Sequence, residues 1–192
     1  MATEYERKFT ATSADLAAID KAFSGDRQVI TMETTYYDTP SGQLSARRYT
    51  LRRRLENGVS VCTLKVPAGN ARGEWETECE NILDALSQLI AQGAPEALTA
   101  LVEEGLVPIC GAKFTRIAKA LCWEGGQVEL ALDEGILFGG GQESPLCEVE
   151  AELKIGTQEL CDRFAHTLAD GFCLTEEPES KFSRALKLYR GE

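Results

Sequence analysis

Charged side chains recur at every second position in most segments that have the composition of β-strands. Because residues two positions apart in a strand point to the same face, Glu4, Glu6 and Lys8 share one face, opposite Tyr5 and Phe9. The charged face continues in later segments through Arg52, Arg54, Lys65, Arg72, Glu74, Glu76, Arg116, Glu129, Asp133, Glu148, Glu150 and Glu152. The chain is therefore predicted to form a sheet with one apolar face and one charged face.

Turn residues and hydrophobic periodicity divide the chain into about eight strands and about five helices. Strands are predicted at Glu4–Phe9, Val29–Tyr37, Tyr49–Leu55, Val59–Val66, Glu74–Glu80, Lys113–Trp123, Val128–Leu137 and Cys147–Ile155. Helices are predicted at Ala14–Phe23, Ile82–Ile90, Pro95–Glu104, Thr157–Ala169 and Lys181–Tyr189. The dipeptides Asn57-Gly58 and Gly125-Gly126 favour hairpins, so we expect an α+β fold with an antiparallel sheet. Residues 1–192 are expected to form a single domain, with a helical insertion at about 82–105.

Two interpretations of the charged face are open. For any single strand, a charged face most simply points to water. Here, however, arginines and lysines concentrate in the middle strands, whereas carboxylates repeat along the first and last. Carboxylates repeated along one face repel each other unless cations lie among them, so the segregation favours a charged cavity.

The chemistry of such a cavity points to a metal ion and a polyanion. Hard divalent cations such as Mg²⁺ or Mn²⁺ take oxygen ligands, which glutamates from two strands can supply. Phosphate oxygens pair with Arg and Lys. A linear triphosphate carries about four to five negative charges, so several basic residues must converge on it in a low-dielectric interior.

Composition excludes several classes of protein. The 20 Lys and Arg residues against 31 Asp and Glu give a net charge of −11, which argues against non-specific binding of nucleic acid or anionic membranes. No apolar run is long enough to span a bilayer, and seven scattered cysteines show no Cys-x-x-Cys spacing, which predicts a soluble cytoplasmic protein with reduced thiols. His166, the only histidine, is expected on a helix surface, which argues against a histidine-based triad.

Several short motifs occur in an order that resembles the CYTH family, the triphosphate tunnel metalloenzymes. The opening Glu4-Tyr5-Glu6-Arg7-Lys8 resembles the Glu-x-Glu-x-Lys signature of that family. The later matches are Tyr36-Tyr37-Asp38-Thr39-Pro40, Leu51-Arg52-Arg53-Arg54, Thr63-Leu64-Lys65, Arg72-Gly73-Glu74-Trp75-Glu76, Arg116, the stretch Glu129 to Gly135, Glu148-Val149-Glu150-Ala151-Glu152-Leu153, and Ser180-Lys181 with Arg184. Each motif alone is weak, but the ordered set is specific.

The resemblance implies an eight-stranded antiparallel closed β-barrel that forms a triphosphate tunnel, with helices packed outside. It implies that Mg²⁺ or Mn²⁺ is held by Glu4, Glu6, Glu148, Glu150 and Glu152. It implies that the triphosphate is bound by Lys8, Arg52, Arg54, Lys65, Arg72, Arg116, Lys181 and Arg184. The residues expected to be catalytic are Glu4, Glu6, Lys8 and Glu150. Supporting roles, at a second metal, on the attacking water or in salt bridges, are expected for Glu74, Glu76, Glu129 and Asp133.

Within that family, the chain is most similar to the bacterial inorganic triphosphatases, which implies hydrolysis of tripolyphosphate to pyrophosphate and phosphate. The alternatives are a class IV adenylate cyclase, a thiamine triphosphatase, or a non-catalytic module that binds polyphosphate or nucleotide. The expected partner is a small-molecule triphosphate rather than nucleic acid or a membrane. Both a monomer and a homodimer are compatible with the sequence.

Overall fold

The computed structural model describes residues 5–68 and 71–192, without the side chains at 68, 71 and 72. The strands are β1 (Glu6–Thr10), β2 (Asp26–Asp38), β3 (Thr50–Glu56), β4 (Val59–Ala68), β5 (Ala71–Glu78), β6 (Val107–Trp123), β7 (Gly126–Gly139), β8 (Gln142–Ile155) and β9 (Thr175–Glu176). The helices are α1 (Ser13–Ala22), α2 (Gln43–Ala46), α3 (Ile82–Ala91), α4 (Ala97–Leu101), α5 (Gln158–Phe172) and α6 (Lys181–Arg190). The α+β class and the antiparallel sheet are as predicted, whereas α2 and β9 were not predicted.

All nine strands form one antiparallel sheet in the order β5-β4-β3-β2-β6-β7-β8-β1-β9. The first strand pairs with β8, so residues from opposite ends of this chain become neighbours. The predicted eight-stranded closed barrel is not confirmed, because the sheet has nine strands and its end strands, β5 and β9, do not pair among the described residues. Part of the reason is that Phe9 and Thr10 of β1 pair with β9, so this part of the β1 edge is not available to β5.

The hairpin turns follow the predicted glycine chemistry, with one shift. Asn57 (φ 49°) and Gly58 (φ 89°) connect β3 to β4 in the left-handed conformation that a two-residue turn needs. Between β6 and β7 the turn residues are Glu124 (φ 45°) and Gly125 (φ 83°), because Gly126 already pairs in β7. The second turn therefore lies one residue earlier than predicted.

The apolar face of the sheet packs against helices on the outside. Along β7, Val128 and Leu130 are fully buried under α1 and α5, which contribute Ile19 and Phe164 to the same cluster. A capping box formed by Thr12 and Asp15 starts α1. A second cluster joins β3, β4 and β5 to α3 and α4. These helices are outside the sheet, as predicted, and α3 and α4 lie within the segment for which helices were predicted.

Helix α6 differs from the prediction because it lies on the charged face of the sheet. Its residues Phe182 and Ala185 pack in one cluster with Phe114 and Leu137, which lie in the same alternating set as Arg116 and Asp133. The side chain of Ser180 caps the helix by accepting from the amide of Ser183. The physical reason for the inward position is that α6 carries both apolar residues and cations, and this face offers both apolar side chains and carboxylates.

Other features expected from the sequence concern the helices and the cysteines. In the part of the chain that the structure describes, no helix has both the length and the apolar character needed to cross a bilayer. All seven cysteines are free thiols. His166 is exposed on α5, as the helical periodicity predicts.

Candidate functional site

A polar cavity of about 160 Å³ lies on the charged face of the sheet. The residues that line it come from both ends of the sheet and from α6, so the sheet curves around the cavity. They are Glu6, Lys8, Tyr36, Thr50, Arg52, Arg54, Lys65, Arg116, Glu150, Glu152, Ser180, Lys181 and Phe182. The charged face therefore surrounds a cavity and does not simply point to water. This is the interpretation that the segregation of basic and acidic residues favours.

Strand register places the acidic residues of the cavity side by side. Glu6 of β1 lies opposite Glu152 of β8, and Lys8 lies opposite Glu150. On the other side of β8, Glu152 pairs with Glu129 of β7. Carboxylates from three neighbouring strands therefore form a row at one end of the cavity.

A second group of carboxylates is buried beneath the cavity. Oxygen atoms of Asp133, Glu148 and Glu150 lie within 4.8 Å of one another. Arg116 binds Asp133 through two hydrogen bonds of 2.7 Å each and also contacts Glu150. The Nζ atom of Lys181 lies 2.7 Å from Glu150 and 2.8 Å from Asp133. Buried charges of both signs thus neutralise each other in this group.

Glu148 and Glu150, two residues apart in β8, differ in their pKa. Burial raises the pKa of Glu148 to about 7, although Lys181 and Arg184 both contact its carboxylate. Burial also opposes ionisation of Glu150, but Lys181 and Arg116 outweigh it and hold the pKa of Glu150 well below its usual range. Of this pair, Glu150 therefore carries the more persistent negative charge, and it is Glu150 that faces the cavity.

On the basic side of the cavity, formed by β3 and β4, the positive charges are less fully paired with carboxylates than in the buried group. Burial, Arg52 and Arg116 together lower the pKa of Arg54, whose only described carboxylate partner is Glu56 at 3.2 Å. The Nε atom of Arg52 is buried and has no hydrogen-bond partner among the described residues. Crowded, desolvated guanidinium groups favour a bound anion, because an anion supplies the opposite charge that the protein lacks.

The predicted site residues fall into four groups. Nine of the predicted residues line the cavity directly, namely Glu6, Lys8, Arg52, Arg54, Lys65, Arg116, Glu150, Glu152 and Lys181. Four lie next to the lining and pair with cations, namely Asp133 and Glu148 in the buried group, Glu74 at 2.9 Å from Lys65 and Glu76 at 3.7 Å from Arg52. Arg184 contacts Glu148, and Glu129 lies 3.6 Å from Lys154. Glu4 and the side chain of Arg72 lie outside the described residues.

Some lining residues were not predicted. Tyr36, in contact with the ring of Phe182 at a centroid distance of 4.8 Å, closes one side of the cavity. Thr50 and Ser180 add hydroxyl groups to the lining. Tyr36 lies opposite Arg52 in the β2–β3 register, which puts it on the charged face, and the sequence alone carries no signal for that pairing.

Sequence comparisons identify the family and its named relatives. The profile of the CYTH domain family matches residues 2–186. A Haemophilus influenzae protein named inorganic triphosphatase is 31% identical over 173 residues, which are 86% of this chain and 46% of that protein. An uncharacterised Mycobacterium tuberculosis protein is 28% identical, over 95% of this chain and 40% of its own length. The chain thus spans about half the length of the curated relatives it matches.

Solved structures share the fold at low sequence identity. A proposed adenylyl cyclase from Hippeastrum, described as having a dominant triphosphatase activity, matches with a TM-score of 0.65 and 17% identity, over 100% of this chain and 97% of that one. A proposed adenylate cyclase from Bacillus halodurans matches with a TM-score of 0.62 and 20% identity, over 95% and 96% of the two chains. At these identities the likeness shows the fold alone. Together with the profile match, the fold and the charged cavity show that the chain belongs to the CYTH domain family.

Proposed function

We propose that this chain hydrolyses a linear inorganic triphosphate to pyrophosphate and phosphate with the help of a divalent metal ion. The strongest support comes from the small cavity, in which desolvated arginines face carboxylates. The desolvation is reflected in the lowered pKa of Arg54. Such a pairing suits a substrate that carries several negative charges together with a cation. The inorganic triphosphatase from Haemophilus influenzae supports the choice of substrate.

The donor atoms on the acidic side fit a hard divalent cation. Glu6, Glu150 and Glu152 line the cavity, and Glu6 and Glu152 are opposite neighbours in the β1–β8 ladder. Carboxylate oxygens on adjacent strands, with room for water or phosphate oxygens, are the ligands that Mg²⁺ and Mn²⁺ prefer. We propose that these three residues hold the ion, together with Glu4. When bound, the ion neutralises phosphate charge and activates water.

The basic residues are proposed to bind and orient the phosphate chain. Arg52, Arg54 and Lys65 approach from β3 and β4, whereas Lys8 and Arg116 approach from the acidic side. Arg72 is proposed to join them. Because these donors are fixed before the substrate arrives, they stabilise the charge that develops on the leaving phosphate without reorganising.

The carboxylates beside these cations are proposed to position them. Glu74 holds Lys65 and Glu76 lies near Arg52, while Asp133 fixes both nitrogens of one guanidinium edge of Arg116. A fixed guanidinium loses less entropy when it binds an oxyanion than a mobile one does. We propose the same positioning role for Glu148, which contacts Lys181 and Arg184 and is not among the lining residues.

One incubation tests the proposed function against its alternatives. The protein is incubated separately with tripolyphosphate, ATP and thiamine triphosphate, each with Mg²⁺ or Mn²⁺, and phosphate and cyclic AMP are measured. Phosphate and pyrophosphate from tripolyphosphate would support the proposal. Cyclic AMP from ATP would indicate a cyclase, preferred turnover of thiamine triphosphate would indicate a thiamine triphosphatase, and tight binding without turnover would indicate a binding module.

Replacing a proposed metal ligand is expected to remove most of the activity. In the Glu6→Gln variant the cavity keeps its shape but loses one anionic ligand, so phosphate release from tripolyphosphate should fall by about a hundredfold or more. The free energy of unfolding should change little, because Glu6 lies at the partly exposed end of the site. Glu143→Gln, at an exposed glutamate in β8 outside the cavity, is the matched control. Full activity of Glu6→Gln would remove Glu6 from the proposed metal site.

A further inference from the structure

A lysine beside the row of carboxylates has no role in the proposed function. Lys154 lies in β8 two residues after Glu152, at the point where the β7–β8 register shifts, so its contacts rather than strand alternation place it beside Glu152. Its Nζ atom lies 2.7 Å from Glu152 Oε1 and 3.6 Å from Glu129 Oε1. The side chain is 41% exposed and is not among the residues that line the cavity.

Lys154 contacts two members of the row of carboxylates that runs across β1, β8 and β7. Glu152 is the middle member of that row, with Glu129 opposite it on β7 and Glu6 opposite it on β1. Like charges placed directly opposite each other in a sheet destabilise it. Lys154 offsets this repulsion from the side of the row that faces solvent.

The buried carboxylate group differs from this row in how firmly its charges are paired. Asp133, Glu148 and Glu150 contact Arg116 and Lys181, which are both largely buried. An ion pair of that kind cannot be broken cheaply, because one charge would stay desolvated. A half-exposed ammonium such as that of Lys154 can return to water at little cost.

We propose that Lys154 is an exchangeable counterion that holds Glu152 in the metal-free protein and competes with the divalent cation for it. This inference rests on the role of Glu152 as a metal ligand in the proposed function. As the cation binds Glu152, the ammonium moves into solvent, and no bond or proton needs to change. Lys154 thereby sets the metal concentration at which the site fills.

The expected size of the effect follows from electrostatics. The displaced ammonium stays tethered to β8, and at about 6 Å from a divalent ion at Glu152 their repulsion corresponds to roughly a tenfold change in affinity at a solvent-like dielectric constant. Replacing Lys154 by methionine removes the charge and keeps a similar unbranched side chain. The Lys154→Met protein should therefore bind Mn²⁺ about tenfold more tightly than the wild type.

The test measures Mn²⁺ binding without triphosphate, by electron paramagnetic resonance of the free ion and by titration calorimetry. Lys154→Arg keeps the charge and should retain the wild-type Kd to within about threefold. The matched control is Lys113→Met, since Lys113 is also an exposed lysine, 3.2 Å from Glu33 on a neighbouring strand, and lies outside the cavity. Its Kd for Mn²⁺ should equal that of the wild type.

The outcomes separate this inference from the proposed function. Unchanged or weaker Mn²⁺ binding by Lys154→Met overturns the inference, whether or not the wild type hydrolyses tripolyphosphate. Tighter binding supports it even if the wild type proves inactive, in which case only the proposed function fails. If the wild type binds no Mn²⁺ and Lys154→Met binds none either, there is no competition and the inference is overturned.

Discussion

The Arg54→Met variant should lose catalytic efficiency and gain stability at the same time. Loss of a positioned cation on the triphosphate should lower kcat/KM on the order of a hundredfold. The free energy of unfolding should rise by about 1 kcal/mol, because the wild-type guanidinium is buried beside Arg52 and Arg116, which lower its pKa. Steady-state phosphate release and urea denaturation measure the two effects.

Arg53 provides a matched control within the same strand. It points to the opposite face of β3, where it hydrogen-bonds Ser60 at 2.9 Å and lies 3.3 Å from Glu80. Arg53→Met should leave kcat/KM within about twofold and lower the free energy of unfolding by less than about 1 kcal/mol. A destabilised Arg54→Met protein would contradict the view that Arg54 is held in the fold at a cost, and an active one would remove it from the proposed substrate site.

The Glu148→Gln variant is expected to lose a pH dependence of stability that the wild type has. Glu148 is fully buried and burial raises its pKa to about 7, so the folded protein favours the neutral carboxyl, and this contribution to stability is lost as the pH rises through about 7. The free energy of unfolding of the wild type, relative to that of the variant, should therefore fall by about 3 kcal/mol between pH 4 and pH 8. Urea denaturation over this pH range with a chelator is the measurement, because no metal is then bound.

The same substitution on the surface supplies the comparison. Glu124 forms an exposed ion pair with Arg163 at 2.7 Å, so Glu124→Gln should cost less than about 1 kcal/mol and keep the pH dependence of the wild type. Identical pH profiles of stability in the two variants would contradict a raised pKa for Glu148. A Glu148→Gln protein that is stable in chelator but has lost Mn²⁺ binding would instead indicate that Glu148 is a metal ligand, as the sequence motif predicts.

The alternation of charged and apolar residues predicts which side chains share a face of each strand. Arg52 and Arg54 were placed on one face, and Leu51 on the other, from local geometry alone, and the structure has them so. Local geometry does not predict which residues pair between strands that are distant in sequence. The resemblance implies only that Glu6 and Glu152 share a metal site, whereas their direct pairing in the sheet and the inward position of Tyr36 were not predicted.

Helix α6 shows a second limit of sequence-based reasoning. Its apolar periodicity predicts a helix correctly but does not say which face of the sheet the helix covers. The choice depends on long-range complementarity, in which Phe182 meets Phe114 while Lys181 and Arg184 meet buried carboxylates. The contact of Lys154 with Glu129 is not predictable for a similar reason, since it depends on which residue of β7 lies opposite Glu152.

The pairing of β1 with β8 has a consequence for how the protein reaches its native state. Glu6 cannot meet Glu150 and Glu152 until about 145 further residues have been synthesised, and Lys181 arrives later still. During translation the early strands therefore expose their arginines to solvent without the acidic strands that face them in the finished protein. Assembly of the cavity is consequently a late step of folding, governed by contacts of high sequence separation that form slowly.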